Sequence, residues 1–231
     1  MRSQKSVIEI DNATIVDDQT GKIAVSGMTL YLNFGELALI HLGQRDVCSV
    51  IGDACAGLTT PMVGAISFLG YNWSRTSPDR ANALRGLIGR VFKTSNWIDY
   101  MLVSDAILLP QLHHTRRPTE EIRDEAIRLC RIFGLPGLPT RRPGNMLSMD
   151  LQRIACVRAF LGRPRLIILE EPTRSLGKEI LPGLTKKINE IRDRGAGVLW
   201  MTQNDSILRE PYLECTYRFR IVGSELVEAA A

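Results

Sequence analysis

The chain has 231 residues, of which 45% are apolar and 23% are charged, so it can bury one sizeable core or a core with an inserted lobe. No apolar run approaches the ~20 residues needed to cross a bilayer, and the N-terminal MRSQKSVIEI lacks the apolar core of a signal peptide. We therefore expect a globular protein of the cytosol. The formal charge is +4, but no aromatic residues are interleaved with the basic pairs, so nucleic-acid binding is not indicated.

The cysteine pattern argues against both a disulfide framework and a zinc site. The five cysteines are scattered along the chain, form no CxxC pair and do not cluster with the three histidines. We expect reduced, mostly structural thiols and no metal-binding residues. The cysteines are Cys48, Cys55, Cys130, Cys156 and Cys215.

The first ninety residues show a pattern of short strands around one helix. Their apolar residues either alternate or form short continuous runs, as in half-buried and fully buried strands. Strands are predicted over Val7–Val16, Met28–Asn33, Leu37–Leu42, Gly64–Leu69 and Leu87–Phe92, with a helix over Asp46–Ala56.

Residues 94–150 show mostly helix and loop. The clearest helix is predicted over Glu120–Phe133, where acidic residues occupy the first turn and Gly134 follows the last. Its apolar residues Ile122, Ala126, Leu129 and Phe133 fall on one face.

The remainder alternates between helix and buried strand. Arg165–Glu170 is a continuous apolar run between Pro164 and Pro172, which is typical of a central parallel strand. This alternation predicts an α/β fold with parallel strands. The other predicted elements are helices over Leu151–Leu161 and Lys178–Arg194 and strands over Gly197–Thr202 and Thr216–Val222.

Several segments, taken in order, resemble the ATPase subunits of ABC transporters over roughly residues 6–204. The most specific is LSMDLQRIACVRAFLGRPRLIILEEPT, which looks like the signature sequence, the following helix and the Walker B strand of that family; FGELALI, AGLTTPMVGAISFLG, IGRVF and VLWMTQND match elsewhere. The resemblance implies an ABC-type P-loop ATPase-like α/β fold with a mixed sheet. Residues 1–93 and 151–231 would form the RecA-like core, and residues 94–150 the inserted helical subdomain.

The segment that should bind phosphate departs from the family pattern. A phosphate loop needs glycines whose backbone N–H groups face the phosphates, a lysine for the outer phosphates and Ser/Thr for Mg²⁺. Residues 23–92 contain no lysine, and the segment HLGQRDVCS offers Gly43, Arg45 and Ser49, with Asp46 close to the expected anion. These losses should weaken nucleotide binding by ~10³-fold or more, so we expect no cofactor, with Mg-ATP binding weak or absent.

The residues that the resemblance assigns to hydrolysis are also altered. Glu170 stands where the family has the Walker B aspartate, and Glu171 matches the catalytic glutamate that polarises the attacking water. Gln203 replaces the switch histidine, and Lys93 replaces the glutamine that senses Mg²⁺ and the permease. We interpret Glu170, Glu171 and Gln203 as vestigial and assign no residue to catalysis.

The signature sequence is degenerate as well. ABC subunits act as facing pairs in which one phosphate loop meets the partner's signature. Ser148 is kept, but Asp150 lies where a glycine is expected, and a carboxylate would repel a triphosphate. An intact partner would therefore not restore an efficient shared site.

The family's docking groove for a permease helix lies beside the glutamine loop. Here Lys93, Trp97, Ile98, Tyr100 and Met101 are the predicted docking residues, since aromatic and methionine side chains are favoured anchors. The alternative is that these residues are ordinary core of the helical subdomain.

The leading hypothesis is a catalytically degenerate ABC ATPase-like subunit that binds an inner-membrane permease from the cytoplasmic side and has a structural or coupling role. The segment ILLPQLHHTRRPTEEIRDEAIRLCRIFGLPGLP most resembles the subunits of MCE-associated (Mla-type) lipid transporters. The partner would be a permease, together with an intact ABC ATPase or a second copy of the chain. One alternative is an active but unorthodox ATPase that uses Arg45, in place of the lysine, and Glu171. The other is a soluble protein-binding regulator. The transported substrate does not follow from the sequence.

Overall fold

The computed structural model describes residues 6–94 and 97–229. These residues form one ten-stranded sheet with helices on both faces. The strands are β1 (Ser6–Val16), β2 (Ile23–Asn33), β3 (Leu37–His41), β4 (Val63–Phe68), β5 (Tyr71–Asn72), β6 (Ile88–Val91), β7 (Leu166–Glu170), β8 (Gly197–Thr202), β9 (Tyr217–Val222) and β10 (Glu225–Glu228). The helices are α1 (Cys48–Cys55), α2 (Pro78–Arg85), α3 (Val103–His114), α4 (Thr119–Ile132), α5 (Ser148–Phe160), α6 (Leu181–Asp193) and α7 (Asp205–Leu208), with 3₁₀ turns at Trp73–Arg75, Pro143–Asn145 and Gly177–Ile180.

The sheet is mixed, in the order β5-β4-β1-β2-β10-β9-β3-β8-β7-β6. Strands β9, β3, β8, β7 and β6 run parallel to one another, whereas β1 pairs antiparallel with both β2 and β4. Every residue of β3, β7 and β8 is buried, as expected where helices cover both faces of a parallel sheet. This confirms the predicted α/β fold with a mixed sheet.

Two apolar cores lie on the two faces of the sheet. On β3, Leu37 and Leu39 pack with Trp200 and helices α3–α6, while Ala38 and Ile40 pack with α1 and the antiparallel strands. This division follows from the two-residue side-chain period of a strand. The sheet therefore has α1 on one face and α3–α6 on the other.

Most predicted elements are present, with shifted boundaries. The predicted helix over Lys178–Arg194 is wrong in its first turn, because a 3₁₀ turn occupies Gly177–Ile180 and α6 begins at Leu181 with Pro182 in its first turn. The sequence reasoning did not specify α2, α3, α7, β5 or β10. Helix α2 buries just Ala81 and Leu84 among its eight residues, which leaves a weak apolar pattern.

The parallel strands bring four connections to one edge of the sheet. The carboxyl ends of β3, β6, β7 and β8 lead into residues 42–47, 92–94, 171–176 and 203–204, respectively. Ligands of open α/β folds bind at this edge, so the candidate site is sought there. The longest described helix has 14 residues, and none of the described helices combines the length and apolarity needed to cross a membrane.

Candidate functional site

The loop between β3 and α1 is the counterpart of the phosphate loop predicted from sequence. Gly43 adopts φ +60°, and its backbone N–H donates to Nδ1 of His41 at 3.2 Å. Arg45 extends away from the loop: its two terminal nitrogens donate to the carbonyl oxygens of Gly223 at 2.6 Å and Ile23 at 2.7 Å. This arrangement does not favour Arg45 as a substitute for the missing lysine.

Ser49 and Glu170 meet where the resemblance implies a metal site. Glu170 is fully buried at the end of β7, and Ser49 Oγ on α1 donates to its Oε2 at 2.9 Å. The backbone N–H of Lys93 donates to the same oxygen at 3.2 Å, and Arg90 Nε donates to Oε1 at 2.5 Å. Both oxygens of the Glu170 carboxylate are therefore engaged by groups of the chain itself.

Arg90 is the central cation of this site, and the sequence reasoning missed it. It lies on β6 with 7% of its side chain exposed. Besides Glu170, its guanidinium binds Asp53 Oδ1 at 2.6 Å and the carbonyl oxygen of Ser49 at 3.1 Å, and it lies 4.3 Å from the centre of the Phe92 ring. The available signal was an arginine inside the short apolar strand IGRVF, because buried charges in proteins are paired.

A second cation lies at the rim of the loop. The Lys93 ammonium forms an ion pair with Asp46; the lysine side chain is 9% exposed and the aspartate side chain 70%. Burial and the nearby Glu170 raise the pKa of the Cys48 thiol to about 11, while Lys93 acts in the opposite direction. Cys48, the first residue of α1, is therefore a neutral thiol at physiological pH.

The second carboxylate of the predicted pair is also engaged within the chain. Glu171 has φ +49°, a left-handed conformation that is uncommon outside glycine. One carboxylate oxygen accepts the backbone N–H of Gln203, and the other accepts Thr202 Oγ1 at 3.0 Å. Gln203 in turn donates from its side-chain amide to the carbonyl oxygen of Arg45 at 3.1 Å. Through these hydrogen bonds, Glu171 joins the turn after β7 to the end of β8.

His41 joins the loop to residues 203–205, just after β8. Because Nδ1 accepts the Gly43 N–H, the neutral ring carries its proton on Nε2. That nitrogen lies 3.1 Å from the carbonyl oxygen of Gln203 and 3.2 Å from Asp205 Oδ1. The imidazole was not predicted as a site residue, and its side chain is 6% exposed.

The predicted signature residues lie apart from this network. Ser148 opens α5, and Asp150 in the first turn pairs with Arg153 at 3.2 Å. Arg153 also approaches Glu179 at 3.5 Å. None of the hydrogen bonds or ion pairs found among residues 6–94 and 97–229 joins Ser148 or Asp150 to the loop. Asp150 borders a cavity of about 920 Å³ formed by residues 135–147.

A groove of about 320 Å³ lies between β6, α3 and α5. Ile98, 38% exposed, and Leu109, 46% exposed, line it, and Tyr100 nearby is 78% exposed. Arg158 forms part of its floor, with its guanidinium 4.5 Å from the Trp97 ring centre; burial lowers the pKa of this arginine.

The five predicted docking residues differ in their surroundings. Ile98 and Tyr100 are exposed, Met101 is half-buried, and Trp97 is partly buried against the core on the helical face. Lys93 is turned toward Asp46. The exposed apolar side chains here are therefore those of Ile98 and Tyr100, with Leu109 added from α3.

Comparisons with known proteins were made on both sequence and fold. No family model matches the chain. Among curated relatives, the phosphonates import ATP-binding protein PhnC 2 of Synechococcus sp. is 27% identical over 198 residues, covering 78% of this chain and 70% of that protein. The sulfate/thiosulfate import ATP-binding protein CysA of Brucella melitensis is 30% identical over 174 residues, covering 74% of this chain. The chain spans 47% of the length of that CysA protein.

Solved structures share the fold across nearly the whole chain. An ATP-binding subunit of an ABC transporter matches with a TM-score of 0.81 and 22% identity, covering 96% of this chain and 88% of the other. MJ0796, a bacterial ABC transporter cassette solved as a dimer, matches with a TM-score of 0.84 and 19% identity, covering 97% and 99%. The sequence relatives support placing the chain among ABC transporter ATP-binding domains, and the solved structures show that it has the same fold.

Proposed function

We propose that the chain is an ABC ATPase-like subunit of a membrane transporter that has lost normal ATP hydrolysis and has a structural or coupling role. The observation that carries this proposal is the engagement of both carboxylates at the site. Glu170 is paired with Arg90, and Glu171 accepts hydrogen bonds from Gln203 and Thr202. A carboxylate whose two oxygens are both engaged within the chain is poorly placed to hold a metal ion or to orient a water molecule.

The Mg-nucleotide that the family implies does not fit the residues present. The loop has no lysine, and the Arg45 guanidinium is bound to two carbonyl oxygens away from it. Glu170 already has a cationic partner, and Asp46 adds a negative charge at the rim of the loop. We therefore derive no catalytic step through Mg-ATP and propose that no cofactor is required.

The groove beside β6 supports the proposed permease partner. Ile98, Leu109 and Tyr100 expose apolar surface next to a concavity, and a helix of a membrane subunit can bury such residues. The chain would then lie on the cytoplasmic face of the membrane, beside an intact ABC ATPase or a second copy of itself. The two relatives described above are named for phosphonates import and for sulfate/thiosulfate import, so lipid transport rests on the resemblance of the helical segment to Mla-type subunits.

The first experiment is purification of the tagged chain from gently solubilised membranes of its native host, with mass spectrometry of the stoichiometric partners. We expect a permease, and an accompanying intact ATPase would identify a mixed pair. Recovery without any membrane partner would overturn the transporter assignment. Ile98→Glu then tests the docking surface.

An active but unorthodox ATPase is a second candidate, and one observation favours it. The Lys93 ammonium lies at the rim of the loop through its pair with Asp46, so a cation is present near the expected phosphates. Binding of Mg-ATP raises the melting temperature in proportion to RT ln(1 + [L]/Kd). We expect no shift at millimolar Mg-ATP; a clear shift, with turnover that Glu171→Gln abolishes, would favour the active enzyme.

A further inference from the structure

The buried network around Glu170 has the composition of a metal site with a guanidinium at its centre. The Arg90 guanidinium donates to three oxygens: one from the Glu170 carboxylate, one from the Asp53 carboxylate and the carbonyl oxygen of Ser49. The Ser49 hydroxyl donates to the other oxygen of Glu170. Carboxylate, hydroxyl and carbonyl oxygens are the ligands preferred by hard divalent cations such as Mg²⁺ and Mn²⁺. Here one arginine binds both carboxylates and the carbonyl oxygen of this set.

The buried negative charge of Glu170 explains why a cation is needed beside it. Glu170 has no exposed surface, and removing a lone carboxylate from water is costly unless it is paired or protonated. Arg90, with 7% of its side chain exposed, provides that pairing from the neighbouring strand β6. The space is also tightly filled, because a Cβ placed on Gly52 of α1 would lie 2.7 Å from an Arg90 nitrogen.

We propose that Arg90 is an internal replacement for a divalent cation. It holds α1 against β7 permanently, in a way that requires neither metal nor nucleotide. This inference rests on the proposed loss of metal-nucleotide chemistry. It gives a reason for that loss, because the protein itself supplies the positive charge of the site. An arginine that merely strengthens the fold would leave no metal-binding capacity behind when it is removed, and this difference makes the proposal testable.

The test is a comparison of Arg90→Ala with the unaltered full chain in EDTA and in MnCl₂ or MgCl₂. The unaltered chain should melt at the same temperature in each. Arg90→Ala should melt lower in EDTA and recover on addition of the divalent ion, by about 3–6 °C at ten times its dissociation constant. Bound Mn²⁺ should appear in the paramagnetic resonance spectrum of the variant and not of the unaltered chain.

Arg90→Ala/Glu170→Gln is the matched control, since it removes the charge that would hold the ion, and it should show no divalent response. If Arg90→Ala does not fold in EDTA, refolding in MnCl₂ and the larger Arg90→Gln variant provide the same comparison. If neither Arg90→Ala nor Arg90→Gln responds to Mn²⁺, the inference is overturned and the proposed function stays intact. Mg-ATP binding by the unaltered chain would instead overturn the proposed function, whatever the variants show.

Discussion

The loop before α1 reaches the segment after β6 through the Asp46–Lys93 pair, and the groove beside α3 is lined by β6 itself. The two regions nevertheless differ in whether their functional groups are already bound within the chain. Around the loop, each charged group that the resemblance would direct to nucleotide is bound to another part of the chain, as Glu170 is to Arg90 and Lys93 is to Asp46. In the groove, Ile98 and Leu109 leave apolar surface uncovered.

The difference is the one that the proposed function requires of the two regions. A site whose donors and acceptors are satisfied internally gains little from a ligand, since each new contact must replace an existing one. Exposed apolar side chains beside a concavity gain from being covered. The proposed loss of nucleotide binding at the loop and the proposed docking at the groove are therefore compatible within one fold.

The largest effect should come from breaking the buried pair at the loop. Arg90→Leu leaves the Glu170 carboxylate buried without a counter-charge, and we expect the free energy of unfolding to fall by ~3–5 kcal/mol. Urea titration of the variant measures this loss. Arg90→Leu/Glu170→Leu removes both charges and should recover most of it; a double variant as unstable as the single one would contradict a charge-based explanation.

The next effect should appear in partner binding. Ile98→Glu places a charge in the groove without emptying the core, and we expect recovery of the permease to fall by ~30-fold, the size of a typical interface hot spot. Val222→Glu is the control, because Val222 is an exposed apolar residue, 57% accessible, on β9. Equal recovery with both variants would show that the groove is not the docking surface.

A smaller change in stability is expected from Gly52→Ala. Alanine usually stabilises a helix relative to glycine, but here the new Cβ would contact Glu170 and Arg90. Overpacking of this kind should lower the free energy of unfolding by ~1–3 kcal/mol. Gly137→Ala, where a Cβ meets no atom within 4 Å, should change it by less than ~0.5 kcal/mol, and a thermal melt of both proteins makes the comparison.

The smallest effect should come from the surface charges of the signature segment. Asp150→Asn removes a half-exposed pair with Arg153 and a favourable charge near the start of α5, so we expect a loss of ~0.5–1 kcal/mol. Glu121→Gln, in the first turn of α4, tests the helix-terminus contribution and should cost less. A loss approaching that of Arg90→Leu would mean that the two regions are energetically alike.

Much of the fold could be predicted from local patterns. The continuous apolar runs at β3, β7 and β8 and the apolar face of α4 were recognised, because burial on one or both faces leaves a periodic signal. Helix α2 is not predicted because it buries few residues. The start of α6 is misplaced because the 3₁₀ turn directly before it is similar in composition to the helix.

The candidate site was less predictable than the fold. The sequence located Ser49, Glu170 and Glu171 in one region through the resemblance, and the structure brings Ser49 and Glu170 into contact. It gave no reason to select Arg90, which is 80 residues from Glu170 along the chain. Trp97 was expected to face a partner, whereas its ring packs against the core with Arg158 beside it.

The sequence by itself determined the α/β class, the order of most elements and the absence of a lysine from the loop, since each of these is a local property of the chain. Which cation neutralises Glu170, where Arg45 points and which groove residues remain exposed were decided by the tertiary structure. These outcomes depend on distances between side chains far apart in sequence. Pairing of the parallel strands β6 and β7, for example, brings Arg90 next to Glu170, and no local sequence pattern records that contact.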